Sequence, residues 1–229
     1  NMLTGDFGIS FTQENREVND IIREHFPISA ILGTVSLMVA AVGGIMLGSL
    51  AAAFRNKRPD GFIMFIVVIG VAVPNFVFAV LAQWGITEVN KGFNADVLPV
   101  GGWGSFKHIW VPAIVLGLGT LAYLTRLMRS SMLEVVNLDY IRTAKAKGVS
   151  PSGILFKHQI RNAVMPVITV LGPAIAAITT GGFVVESNFA IPGLGRYFVQ
   201  AVQQLDYTVI MGLTVFYGAY LVFMVIFVD

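Results

Sequence analysis

Five long apolar stretches organise the chain, at roughly Ile28–Phe54, Phe62–Ile86, Ile109–Met128, Ala163–Val185 and Thr208–Val228. A helix needs ~20 apolar residues to cross bilayer hydrocarbon, and each stretch qualifies as a span. Pro112 interrupts the third, and Pro166 and Pro173 the fourth. Membrane helices tolerate proline where neighbours satisfy the freed carbonyls. Trp84, Trp103 and Trp110 lie at or near span ends, where amphipathic rings favour the interface. Ahead of the first span, Val18, Ile21, Ile22 and Phe26 fall near helical spacing, with acids and Arg23 between them. This pattern predicts an extracytoplasmic segment over 1–27 with an interfacial helix, then a membrane domain over 28–229. The helix reads as a surface anchor; contact with an external partner is the sharper alternative. Gly43, Gly44 and Gly48 form a small-residue ridge inside the first span, which suits close helix packing within the chain.

Composition agrees with lipid as the solvent. Of 229 residues, 55% are hydrophobic and 12% charged, against about 25% charged in soluble domains. With no cysteine, disulfides, thiolate metal sites and a cysteine nucleophile are excluded. Charge placement then orients the spans. Arg55, Lys57 and Arg58 follow the first span, and Arg126, Arg129, Arg142, Lys145, Lys147, Lys157 and Arg161 surround the linker after the third. Both groups fall on one side, and basic loops stay in the cytoplasm. The chain therefore starts outside and ends inside. An odd number of spans with this orientation predicts one further span before Asn1, six in all.

The linker at about 129–162 carries the most information. Asp139 is placed to cap a short helix through its carboxylate. Lys145 and Lys147 fall in its last turn, where the helix dipole favours cations, and Gly148 supplies a left-handed terminator. Ser150 then caps a second helix with Pro151 at its first position. A helix this short is marginal in water and needs a surface to pack on. Thr143, Ala144 and Ala146 would let another backbone come close, and Tyr140 offers an anchor. The residues thus point to a cytoplasmic docking knob; a solvated basic loop that merely sets topology is the plain alternative.

The run Asp139-Tyr140-Ile141-Arg142-Thr143-Ala144-Lys145-Ala146-Lys147-Gly148, continuing to Arg161-Asn162-Ala163-Val164-Met165-Pro166, resembles the cytoplasmic loop of peptide-type binding-protein-dependent ABC importer permeases, the group of oligopeptide, dipeptide and nickel importers. Gly5-Asp6-Phe7-Gly8, Leu98-Pro99-Val100, Arg129-Ser130-Ser131-Met132-Leu133-Glu134-Val135 and Pro192-Gly193-Leu194-Gly195-Arg196 extend the resemblance along the whole chain. It implies an all-α polytopic permease of the type I importer fold in a bacterial or archaeal cytoplasmic membrane. It also implies that Asp139, Tyr140, Arg142, Thr143, Ala144, Ala146 and Gly148 belong to a coupling helix that docks on an ATPase. The implied partners are a second homologous permease, two cytoplasmic ATPase subunits, an extracytoplasmic substrate-binding protein and membrane lipid, with no nucleic acid. ATP and Mg belong to the ATPase subunits; no cofactor is expected in this chain. Two departures from the general importer-permease pattern mark the peptide-type variant. Arg142-Thr143-Ala144 replaces its Glu-Ala-Ala, and its proline, expected at Arg161, comes later as Pro166.

Other chemistry is not indicated. The sequence has no Gly-x-x-x-x-Gly-Lys-Ser/Thr loop and no Gly-x-Ser-x-Gly elbow. His25, His108 and His158 are dispersed, against a metal site. An ion-coupled carrier keeps ionisable groups at mid-membrane. The exception to their scarcity is Glu186, at the outer end of the fourth span, a candidate for the pathway or outer gate and equally for a structural carboxylate. Nickel or a nickel chelate is the alternative cargo. A passive channel or membrane scaffold is the alternative of another class.

Overall fold

The computed structural model describes residues 5–228, apart from the side chains at 176, 180, 181 and 228. In chain order the helices are α1 (Val18–Ala53), α2 (Arg58–Ala72), α3 (Asn75–Phe93), α4 (Lys107–Val135), α5 (Asp139–Ala146) and α6 (Pro151–Gly153), followed by a π-helical stretch, Ile154–Ile160. Then come α7 (Arg161–Ala163), α8 (Met165–Gly181), α9 (Phe183–Asn188), α10 (Leu194–Gln204) and α11 (Tyr207–Val228). The only pairing of extended residues among those described is an isolated antiparallel bridge between Ile9 and Glu17. The chain is all-helical, as expected. Three helices, α1, α4 and α11, are each long and apolar enough to cross a membrane. The number rises to five if two broken pairs each count as one span.

One broken pair is α2 with α3, where the sequence predicts a single span over Phe62–Ile86. Pro74 has no N–H and disfavours helical geometry in the residue before it. Val73 accordingly turns extended, at φ −92° and ψ 126°, and Pro74 becomes the N-cap residue of α3. The opposite outcome holds at Pro27. There the predicted interfacial helix is continuous with the first span, and Pro27 lies inside α1. Val18, Ile21 and Ile22 are buried with Leu194, Leu213 and Tyr217, so tertiary packing carries the helix past the lost hydrogen bond.

The contacts divide the chain into two compact units. One comprises the chain up to Leu37, Pro74–Gly117 and the chain from Gly172 onward. Its polar anchor is Asp206, just before α11 and 1% exposed. Its carboxylate accepts from the Ser10 hydroxyl, from Thr12 Oγ1 at 2.9 Å, and from the N–H groups of Phe11 and Val209 at 3.2 Å. It therefore caps α11 and folds residues 10–12 against the same corner. Burial pushes this carboxyl up, but the hydrogen bonds from Ser10, Val209, Phe11 and Thr12 outweigh it and bring the pKa down to about 2.

The other unit comprises Met38–Val73 and Leu118–Leu171. Its core holds Leu124, Met128, Met132 and Val135 of α4 with Ile141, Ala144, Ile154 and Val167. The glycine ridge brings α1 close to α4. A Cβ added to Gly48 would lie 2.6 Å from both Met128 Cβ and the Thr125 carbonyl oxygen, inside any van der Waals distance.

Gly48→Leu should therefore lower stability by about 1–3 kcal/mol through overpacking, read as a lower thermal midpoint in detergent. Gly61→Ala, inside α2 where a Cβ would meet nothing within 4 Å, should hold or slightly raise the midpoint. Asp206 gives a pH signature. Its folded pKa of about 2 lies below the ordinary 3.8, so its contribution is complete above about pH 5 and is lost as pH falls from about 4 to 2. Asp206→Asn should cost about 2 kcal/mol near neutrality, and the gap to the parent protein should close on acidification.

Candidate functional site

The short helix expected in the linker forms, as α5, but its start differs from the sequence expectation. Leu138 is the N-cap residue of α5, at φ −75° and ψ 148°, and no side chain caps the helix. Asp139 is the first helical residue instead. Its carboxylate faces water and pairs with Arg142 at 3.5 Å, an exposed contact worth little. The end is as the residues predict. Gly148 has φ +76°, its N–H bonds the Lys145 carbonyl at 3.0 Å, and the Val149 N–H bonds the Ala144 carbonyl at 3.2 Å. This is a Schellman termination, favoured by glycine because of the left-handed residue. Ser150 Oγ accepts from the Gly153 N–H at 3.2 Å, with Pro151 at the first position of α6.

Two residues hold α5 down. Ile141 is fully buried and Ala144 is 7% exposed, both in the core that contains Met128, Met132 and Val135. Ala144 therefore faces its own protein, which corrects its place among the small residues offered to a partner. Ile141 was missed as an anchor, although its three-residue spacing from Ala144 is a helical face signal. Asp139, Tyr140, Arg142, Thr143, Ala146 and Gly148 are all exposed. The Tyr140 hydroxyl accepts from Asn162 Nδ2 at 3.0 Å, and the same nitrogen donates to the His158 carbonyl at 2.7 Å. Tyr140 is thus tied to the Arg161-Asn162-Ala163 run.

A second feature lies outside any local pattern. Arg129 of α4 donates from Nε to Asp60 Oδ1 at 2.7 Å and from an Nη to Oδ2 at 2.8 Å. Asp60, in the first turn of α2, is 4% exposed and also accepts from the Asn56 N–H at 3.0 Å. Such a paired fork fixes geometry as well as charge, and it ties α2 to the helix against which α5 packs.

Glu186 on α9 is 1% exposed. Its Oε2 accepts from the Arg196 N–H at 3.1 Å, at the start of α10, and the Ser29 hydroxyl also bonds it. Ser29 Oγ in turn accepts from the Leu194 N–H at 2.9 Å. His25 Nδ1 donates to the Pro192 carbonyl at 2.7 Å, and its ring stacks on Tyr197 at 4.3 Å. The turn before α10 is therefore wrapped around a carboxylate. A Cβ on Gly195 would lie 2.9 Å from Glu186 Oε2 and 2.6 Å from Phe183 Cδ1. In this arrangement Glu186 serves as a structural carboxylate. Gln83 supports the same region, donating to the Asn188 carbonyl at 2.8 Å. Among the described residues, no group of three or more His, Asp or Glu is placed to hold a metal ion.

Residues 44–229 match the family described as the binding-protein-dependent transport system inner membrane component. The chain belongs to that family. It is 46% identical over 230 residues to the dipeptide transport system permease protein DppB of Bacillus subtilis, spanning 100% of this chain and 72% of the relative. It is 42% identical over 220 residues to the oligopeptide transport system permease protein OppB of Haemophilus influenzae, spanning 95% of this chain and 70% of that one. Among solved structures, an amino acid ABC transporter with histidines matches at TM-score 0.68 and 13% identity, covering 91% of both chains. The MetNI methionine ABC transporter in an inward-facing conformation matches at TM-score 0.67 and 17% identity, covering 91% of this chain and 94% of that one. At those identities the structures speak to fold alone.

This protein is thus an inner-membrane permease, a transport subunit and not an enzyme. Three runs that carried the resemblance fall at joints of the permease: Arg129 in the ion pair with Asp60, Asp139–Gly148 as α5 and its terminator, and Pro192–Arg196 around Glu186. Glu186→Ala would strand the Arg196 N–H in a buried site, at a cost of about 1–3 kcal/mol. Gly195→Ala should be similarly destabilising, because the new Cβ displaces the carboxylate. Ser187→Ala removes a buried hydroxyl that has no hydrogen-bond partner among the described residues and should leave the thermal midpoint of the purified permease unchanged.

Proposed function

We propose that this permease is one of two similar membrane subunits of an ATP-driven peptide importer. The observation that carries the reading is its 46% identity, along its whole length, to a dipeptide permease, with 42% to an oligopeptide permease beside it. The translocation pathway then lies between this chain and a second, similar one. An external binding protein delivers the cargo, and two cytoplasmic ATPase subunits hold the ATP and Mg. The basic linkers around Arg55–Arg58 and 126–161 support an orientation with residue 1 outside and residue 229 inside.

In this reading α5 is the coupling helix, and its outward residues Tyr140, Arg142, Thr143 and Ala146, with Asp139 and Gly148 at its ends, meet a groove on an ATPase subunit. ATP binding draws the two ATPase subunits together and carries α5 with them. ATP shifts the equilibrium between inward- and outward-open states only if the groove holds α5 differently in each. Ala144 acts from beneath, by keeping α5 on its own core. Glu186 contributes to an outer gate only through the turn it holds.

Purification from the native host in mild detergent tests the assembly. The expected companions are a second similar permease and one or two proteins with phosphate-binding loops, and the ligand stripped from the binding protein should be a peptide. A nickel chelate in its place would overturn the cargo, and a chain that purifies alone would overturn the importer. Within the assembled transporter, Ala146→Asp places an unpaired carboxylate in the proposed groove. It should reduce uptake and stimulated ATPase activity about tenfold or more. Full activity of that variant would remove α5 as the docking element.

A further inference from the structure

A groove of about 330 Å³ opens in the second unit, lined by the C-terminal ends of α1 and α4 and by the segment that starts at Pro151. Its walls are apolar except at two residues, Arg55 and Gln159, and no acidic residue lines it. Gln159 is 9% exposed, and among the described residues nothing hydrogen-bonds its side-chain amide. Neither polar atom of this amide is sealed from solvent, so the amide opens into the groove it lines and is available to whatever enters. The Arg55 side chain is exposed; its charge acts on Asp60, whose carboxylate is held by Arg129, and among the described residues Arg55 forms no ion pair. Gln159 and Leu155 both belong to the π-helical stretch Ile154–Ile160, a backbone irregularity that is frequent at functional sites.

We propose that this groove is a binding site for an anionic phospholipid. Both α1 and α4 are long and apolar enough to span a membrane, and the groove lies where they end, so it falls at the boundary between hydrocarbon and water. Its chemistry divides the same way. The Arg55 guanidinium and the Gln159 amide present hydrogen-bond donors and one positive charge to a phosphodiester, and Met132, Leu155 and Ala53 offer apolar wall to the first methylenes of an acyl chain. Exposed Lys57 and Arg58 follow Arg55 closely in the chain and raise the local positive potential that attracts anionic headgroups. A soluble anion would leave the apolar walls wet. A zwitterionic lipid gains less from the positive linker. The inference rests on the chain's spanning a membrane and is independent of its cargo and its orientation.

The test uses the assembled transporter, reconstituted in phosphatidylcholine vesicles with added phosphatidylglycerol, re-extracted in detergent and weighed by native mass spectrometry. The parent protein should retain phosphatidylglycerol in preference to phosphatidylcholine. Arg55→Ala should reduce the retained phosphatidylglycerol about fivefold, and Gln159→Leu and Ala53→Trp should reduce it as well. Arg58→Ala, whose side chain does not line the groove, should retain it. Recovery of each variant with its partner subunits verifies the fold, and Arg55→Ala, which alters only an exposed side chain, decides the matter if Ala53→Trp fails to assemble. Equal retention by the parent, Arg55→Ala and Gln159→Leu would overturn the proposal. So would capture of a protein subunit, and no lipid, by a photo-crosslinker placed at Leu133 on the groove wall.

Discussion

Lipid supplies no hydrogen bonds, so wherever a membrane helix stops the chain has to satisfy its own exposed N–H and C=O groups. The polar residues of this permease are concentrated at such stops. Asp206 closes the start of α11 and gathers Ser10, Phe11 and Thr12 around it. Glu186 and Ser29 close the start of α10, and Ser150 closes the start of α6. After Val73 turns extended, its N–H still bonds the Ile69 carbonyl at 3.0 Å. The apolar stretches make membrane helices; these joints decide where the helices end and which neighbours they hold.

The joint on which the proposed coupling turns is α5. An eight-residue helix has little stability of its own; it forms because Ile141 and Ala144 are buried with Met128, Met132 and Val135. A load applied to its outer face therefore passes into α4 through close-packed side chains, which transmit displacement because such cores deform little. From α4 it passes to α2 through the two-pronged contact of Arg129 with Asp60. Lysine has no such fork, so arginine at this position serves geometry as much as charge. The proposed docking helix, its supporting helix and the ion pair thus lie on one mechanical path within a single unit.

Much of this was legible in the sequence because it is local. Apolar length located three spans as single helices and the other two as broken pairs; Gly148 marked the end of α5, and Ser150 with Pro151 the start of α6. The break at Pro74 was legible in principle, through the proline's effect on Val73, but apolar continuity across Phe62–Ile86 hid it. What was not legible depends on contacts between residues distant in sequence. Asp60 and Arg129 are 69 positions apart, and nothing near either one names the other. Ala144 reads like its exposed neighbours until the face carrying Ile141 is known to turn inward. Glu186 reads as a lone acid near a span end, and only the turn around Pro192–Arg196, folded against it, reveals a structural carboxylate. The continuation of α1 through Pro27 likewise comes from its packing on α10 and α11, which overrides the local breaker.

The central claim is that the outer face of α5 meets an ATPase while its inner face stays within the permease. Site-specific photo-crosslinking in native membranes addresses it most directly, with the crosslinker at Thr143 in one protein and at Ala144 in another. The account predicts that Thr143 captures a cytoplasmic ATPase subunit and that Ala144 gives crosslinks only within the permease. Absence of an ATPase product from Thr143, or capture there of an extracytoplasmic protein, would contradict it.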